Sequence, residues 1–475
     1  MTEDAAVRGV ERFDLRLAGG TVLVGGAGLC AVDVLVTGGR IAALCEPGTA
    51  VDAAEVVEVR GLTVLPGAID AHVHLGQDIT YPRDDEDTAA ETAAAAAGGV
   101  TTVLAYLMTP EPYDEVHPGV VARMERSAQV DFGFHFCIVT EEQLGRIPGY
   151  AEELGVSSFK FFMNFRGEEG RYLGLPGNDD GFLYDLLRTA AASGTMIDPH
   201  AENIEIVWRL RQQAAGAGQP PLQAWNAVRP PLVEAEAEQR AAYLAGATGA
   251  SMYAVHVSSQ AALEVLVAAR RRHRHVFVET CPHYLTHDAD SPLGLRGKVN
   301  PPLRQAADRE ALWAALAEGV IDVVGSDHVP RHHSKKTGDI WSASAGFPGL
   351  QTLLPVLLSE GHRRRGIPLD RVVDTVTARP ARLFGLHPRK GTVAVGADAD
   401  LAVVDLQASS VVDADSQVSA AGYSIYEGWE LGCKVVHTIV RGAFAWRDGQ
   451  LLPGARGRFL PRPHSGAAAL AGVGR

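Results

Sequence analysis

The chain has 475 residues, more than one hydrophobic core normally serves, so a large domain with a smaller companion is the expected organisation. Its 46% hydrophobic and 21% charged residues are those of a globular protein, and no apolar run is long enough to span a bilayer. A net charge of −14 opposes phosphate binding and argues against nucleic acid as a partner; the one basic run, residues 270–275, reads as a solvated helix end.

The chain starts "MTEDAAVRGVERFDLRL", polar and acidic where a secretory signal would be basic and then apolar. Five widely spaced cysteines (Cys30, Cys45, Cys137, Cys281 and Cys433) fit reduced thiols, so a cytoplasmic location is expected. Residues 12–65 then read as short strands separated by Gly turns, and residues 391–452 repeat that pattern. Together the two ends, 1–65 and 391–462, are expected to form a small β-sandwich.

Between them, over 66–390, β-branched runs alternate with Ala/Leu-rich helical segments such as 87–99, 180–194 and 259–272. Eight strands are expected near 63–74, 100–107, 132–139, 157–163, 194–200, 251–257, 275–281 and 320–327. That pattern predicts an α/β fold, a (β/α)8 TIM barrel with its chemistry at the carboxyl ends of the strands. The last stretch, 463–475, is expected to be a mobile tail.

The barrel rim carries the functional signal. His72 and His74 in "GAIDAHVHLG" lie on one side of a strand, where an H-x-H pair can share a metal ion. Alone, the pair would serve equally well as a solvent-facing strand end. Lys160, His200, His256 and Asp327, however, each fall at the end of another expected strand, which converges all six on one metal site. Lys160 sits among Phe159, Phe161 and Phe162, where an ammonium is costly to desolvate. If its neutral amine takes up carbon dioxide, the resulting carbamate offers two anionic oxygens that suit a bridge between two divalent cations.

On "PGAIDAHVHL", "AAAAGGVTTV", "SFKFFMNF", "HAEN", "YAVHVSS", "ETCPHYLTHD", "KVNPPLR", "GSDHVP" and "YEGWELGCKVVHTIVRG", the chain resembles the amidohydrolase superfamily, specifically its hydantoinase, dihydropyrimidinase and allantoinase group. The resemblance implies a metal-dependent hydrolase that opens the C–N bond of a cyclic amide or ureide. It implies two divalent ions, usually zinc, one held by His72, His74 and Asp327 and the other by His200 and His256, with carboxylated Lys160 bridging. It further implies that Asp327 is the general base and acid, and that the protein forms a homotetramer or dimer. Asn300, Phe165 and His283 are the expected substrate contacts, while His328 is expected to point away from the metals.

Three positions depart from the group's pattern. Phe165 stands where hydantoinases carry a Tyr, Ala345 where they carry an Asn, and Gly76 where dihydroorotases carry a carboxylate-holding Arg. From Gly76, dihydroorotate is expected to be a poor substrate and uncharged rings to be preferred.

Overall fold

A computed structural model describes residues 12–76, 79–167, 179–214, 218–453 and 457–467. Its centre is a ring of eight parallel strands: Ala68–Val73, Val100–Leu107, Asp131–Cys137, Ser158–Phe162, Met196–His200, Ser251–Ala254, Val276–Thr280 and Val323–Val324. All but the fourth and sixth are buried at every position, as strands covered on both faces must be. The eighth returns to the first through a bridge between Val73 and His328 and a 2.7 Å bond from His74 N–H to the His328 carbonyl, making the TIM barrel.

The outer helices begin where side chains can hold their first amides. Asp84 accepts from Asp87 N–H at the head of Asp85–Ala97, Asp179 from Phe182 N–H at Asp180–Ser193, and Ser259 from Ala262 N–H at Gln260–Arg270. Helix Asp180–Ser193 ends at Gly194, whose φ of 66° is one that glycine adopts without steric cost.

Beside the barrel, a four-stranded sheet (Phe13–Ala18, Asp33–Thr37, Arg40–Cys45, Ala53–Glu58) faces a seven-stranded one built from both chain ends. Strand Leu401–Asp405 pairs antiparallel with Thr63–Pro66, and Leu15, Leu17, Val34 and Val36 share a core with Val64, Leu401, Val403 and Ile439. This is the expected β-sandwich.

Residues 457–462, expected with the sandwich, lie instead against the barrel: Phe132 N–H donates to the Arg458 carbonyl, and Leu460 N–H to the Phe132 carbonyl. Part of the expected tail is packed too. Gly466 N–H bonds to the Leu383 carbonyl, and Ala467 is fully buried with Leu460 and Phe384 beneath the barrel residues Ile69, Leu104 and Phe277. Apolar groups close the barrel's lower opening because its interior must be filled. Residues 468–475 lie outside the described residues.

Barrel and sandwich are tied by a buried ionic knot. Lys390 Nζ lies 2.5 Å from Asp131 and 3.0 Å from Asp398, and also contacts Asp400; Arg441 contacts Asp131. These three carboxylates could be taken for a cation site, but an ammonium already fills it. Lys390→Met would leave them buried around an apolar chain. It is expected to destabilise the protein by roughly 3–5 kcal/mol, read as a lower denaturant midpoint. An unchanged midpoint would show that the knot contributes nothing.

Candidate metal centre and substrate cavity

Four imidazoles, an amine and a carboxylate meet at the upper rim of the barrel. His72 Nε2 is 3.2 Å and His74 Nε2 is 3.7 Å from Asp327 Oδ1, and these atoms lie close enough to share one ion. His200 Nδ1 is 2.9 Å from His256 Nε2. Lys160, 1% exposed, points its amine 4.6 Å from the centre of the Tyr106 ring and 5.2 Å from that of Phe162.

Backbone conformation aims two of these groups. His256 (φ 43°) and Asp327 (φ 48°) are both left-handed, a region non-glycine residues seldom enter and one that recurs at functional sites. Close approach at Gly325 matters equally: a Cβ there would meet Glu279 Oε2 at 2.6 Å and His72 Cβ at 2.8 Å.

Behind the rim, carboxylates orient the rings. Glu279 Oε1 is 2.7 Å from His72 Nδ1 and accepts from His256 N–H, while Tyr253 donates to Oε2; one side chain thus braces both halves of the site. Glu202 is 2.9 Å from His200 Nε2 and accepts from Arg229 at 2.7 Å. With those nitrogens engaged, His72 Nε2 and His200 Nδ1 face inward, which is how metal-binding histidines are commonly held. None of Glu279, Glu202 and Arg229 was singled out by the sequence reading. The signal available was a glutamate inside the apolar run "HVFVETC", where a buried carboxylate needs partners.

Burial dominates the electrostatics. It lowers His74 to about 3 and the other three imidazoles below their ordinary value, with the positive Lys160 adding to the shift, so all four are neutral donors. Burial also lowers Lys160, against the pull of Asp327, which favours the free amine that a carbamate requires. Asp327 is raised to about 7 and Glu279 to about 8, again chiefly by burial. Burial opposes ionisation of Glu202 as well, but Arg229 and His200 outweigh it and bring that group to about 2.

The donor set fits a pair of divalent cations. His72 Nε2 is a buried nitrogen without a hydrogen-bond partner among the described residues, and the inward groups are neutral imidazoles, a carboxylate and an amine whose pKa burial lowers.

Above these groups opens a cavity of about 320 Å³. Asn300 and Phe165 line it: Asn300 Oδ1 accepts from Trp225 Nε1 at 3.1 Å, and Phe165 stacks on Phe162 at 4.2 Å. Ala345 lines it as well. His283, an expected substrate contact, is not among the residues that line the cavity; it lies in the short helix Pro282–Thr286 with its ring edge-on to Phe347, 4.9 Å away. His328 leans away from the metals' side, with Nε2 3.0 Å from Glu91 and Nδ1 accepting from Gly349 N–H. The walls also carry Arg211, Lys298 and Arg331.

A profile of the amidohydrolase family matches residues 63–445. The chain is 37% identical over 458 residues to an allantoinase of Rubrobacter xylanophilus, covering 94% of this chain and 97% of that protein. It is 34% identical over 452 residues to a D-hydantoinase of Geobacillus stearothermophilus, covering 92% and 94%. Among solved structures, a dihydropyrimidinase from Brevibacillus agri superimposes with a TM-score of 0.86 at 31% identity, over 94% of this chain and 98% of that one.

Proposed function

The chain belongs to the amidohydrolase family and acts on the C–N bonds of cyclic amides, and from that premise we propose that the rim residues hold two divalent ions and that Asp327 moves the proton. His72, His74 and Asp327 would hold one ion, His200 and His256 the other, with Lys160 bridging as its carbamate. That group forms when the neutral amine adds to carbon dioxide and gives up a proton. Two such ions, zinc in our reading, supply a water acidified toward neutrality and a Lewis acid for the ring carbonyl.

The side chains do the rest. Asp327 is the only carboxylate among the described residues lining the cavity, and this observation carries the assignment. It takes the proton of the attacking water and returns it to the ring nitrogen as the C–N bond breaks, so the ring opens to a carboxylate and an amide or amine. Glu279 and Glu202 hold His72 and His200 in the tautomers that face the ions. Asn300 and the segment through Ala345 border the ring. Phe165 leaves the wall apolar where a Tyr would offer a donor.

Allantoin-like ureides are the second reading, favoured by "ETCPHYL" and "KVNPPLR". A cytoplasmic homo-oligomer, dimer or tetramer, completes the proposal. It is supported by five free cysteines and by Leu232 and Tyr243, 61% and 73% exposed on helix Pro231–Thr248. No described helix is long and apolar enough to cross a membrane.

Turnover of hydantoin, dihydrouracil, allantoin and dihydroorotate, with metal content measured on the same sample, tests the proposal. Opening of at least one ring by metal-loaded protein is expected. If protein supplied with zinc, manganese or cobalt opens none of them, the proposal fails.

A further inference from the structure

A second buried ionic network lies behind the rim, and its branches end at two particular imidazoles. Arg229 and Arg304 accompany Glu202 and Glu234, and each of the four is at most 2% exposed. Such a set seldom adds stability over apolar side chains of the same volume, so what it holds in place is the better reason for its presence.

Arg304 is the hub. Its Nε donates to Ser258 Oγ at 2.9 Å, its Nη2 to Glu234 Oε2 at 2.9 Å, and its Nη1 to Asn226 Oδ1 at 3.1 Å and to the Arg229 carbonyl. Only a planar guanidinium presents donors in a fork that can serve these acceptors together.

One branch runs to His256. Ser258 N–H donates to Glu234 Oε1 at 2.7 Å and its hydroxyl to Oε2 at 2.6 Å, which fixes the chain two residues past that imidazole. His256 is left-handed (φ 43°), a conformation that persists only where its surroundings over-determine it. Glu279 holds its N–H on one side, and Ser258, Glu234 and Arg304 hold the following segment on the other. The other branch runs to His200. Arg229, whose carbonyl Arg304 holds, donates to Glu202 at 2.7 Å, and Glu202 lies 2.9 Å from His200 Nε2. His72 is braced from elsewhere, by Glu279, and the His74 N–H by the His328 carbonyl.

We infer that Arg304 is a positioning residue for one metal of the pair. Through Ser258 on one branch, and through Arg229 and Glu202 on the other, it fixes both imidazoles assigned to the ion of His200 and His256, and neither of those assigned to its neighbour. The inference rests on the ligand assignment proposed above. Loss of such outer contacts typically weakens a metal site by roughly 10- to 100-fold, and here the weakening should fall on one ion per chain.

Arg304→Lys keeps a charge beside Glu234 but cannot reach Ser258, Asn226 and the Arg229 carbonyl together. Zinc-loaded wild type and variant are exposed to rising concentrations of a chelator, separated from it, and compared by zinc per chain. The variant is expected to give up one ion at a chelator concentration about tenfold or more below that for wild type, and to keep the other up to the wild-type concentration. Two backgrounds identify the ion that moves. With His200→Ala, where that site is already impaired, Arg304→Lys should leave retention of the remaining ion unchanged; with His74→Ala it should still lower retention by about tenfold or more. An arginine that merely supports the fold would loosen both ions alike. Parallel loss of both ions, unchanged retention, or an effect undiminished by His200→Ala overturns the inference. Should Arg304→Lys not fold, Ser258→Ala, which removes one link and leaves the charges paired, is expected to show the same selectivity to a smaller degree; retention of both ions at the wild-type level would then overturn the inference. If zinc-loaded wild type holds no zinc, the metal assignment itself fails and the inference falls with it, an outcome distinct from two ions held and lost without selectivity.

Discussion

Lys160→Ala is expected to abolish turnover and to lower the bound metal. The amine is buried between Tyr106 and Phe162 in the cavity that the four imidazoles line, and in our reading its carbamate is the bridging anion. Alanine leaves a space lined by those rings, so a short carboxylic acid such as acetate or propionate can enter and act as the bridge. Elemental analysis and kinetics on one sample should therefore show less metal, no activity, and partial recovery of activity with millimolar acid. Full activity in Lys160→Ala would make the lysine an ordinary side chain.

Asp327→Asn keeps the shape of the residue and one oxygen that can face a cation, but it removes the group that accepts and returns the proton. The rate is expected to fall by roughly two to four orders of magnitude, the usual size of a general acid/base contribution, while part of the metal remains. Steady-state kinetics should place the loss in kcat more than in KM, because ring binding relies on the walls. A near-normal kcat would move the proton to another group.

The barrel was legible because strands covered on both faces must be near-continuous apolar runs, and seven of the eight strand positions follow directly from them. The eighth is shorter than the run 320–327 implies: only Val323–Val324 pair as a strand, since the chain must then turn to bring Asp327 round at positive φ. The six rim residues were legible because each lies in or just past the carboxyl half of a strand. Glu279, Glu202 and Arg229 were not, because their value depends on which ring lies across a neighbouring strand, and no local spacing encodes that. That His283 lies off the cavity wall was not legible for a related reason, as the turn at Cys281 into helix Pro282–Thr286 decides which way its ring points. The Gly/Ala-rich end has no periodicity of its own; Ala467 is buried only because the barrel leaves an opening of the right size beneath Phe384.

Charge at the cavity was the least legible feature. Arg331, Lys298 and Arg211 are far apart in sequence and read singly as solvated side chains, and only the folded chain sets them on the walls of one cavity.

The measurement that tests the account most directly is the metal content of the wild-type protein, taken with its activity before and after chelation. About two divalent ions per chain is the predicted stoichiometry, with activity lost on chelation and restored by zinc, manganese or cobalt. A reproducible content near zero in protein grown with ample metal, with ring-opening activity that chelators leave untouched, would contradict it.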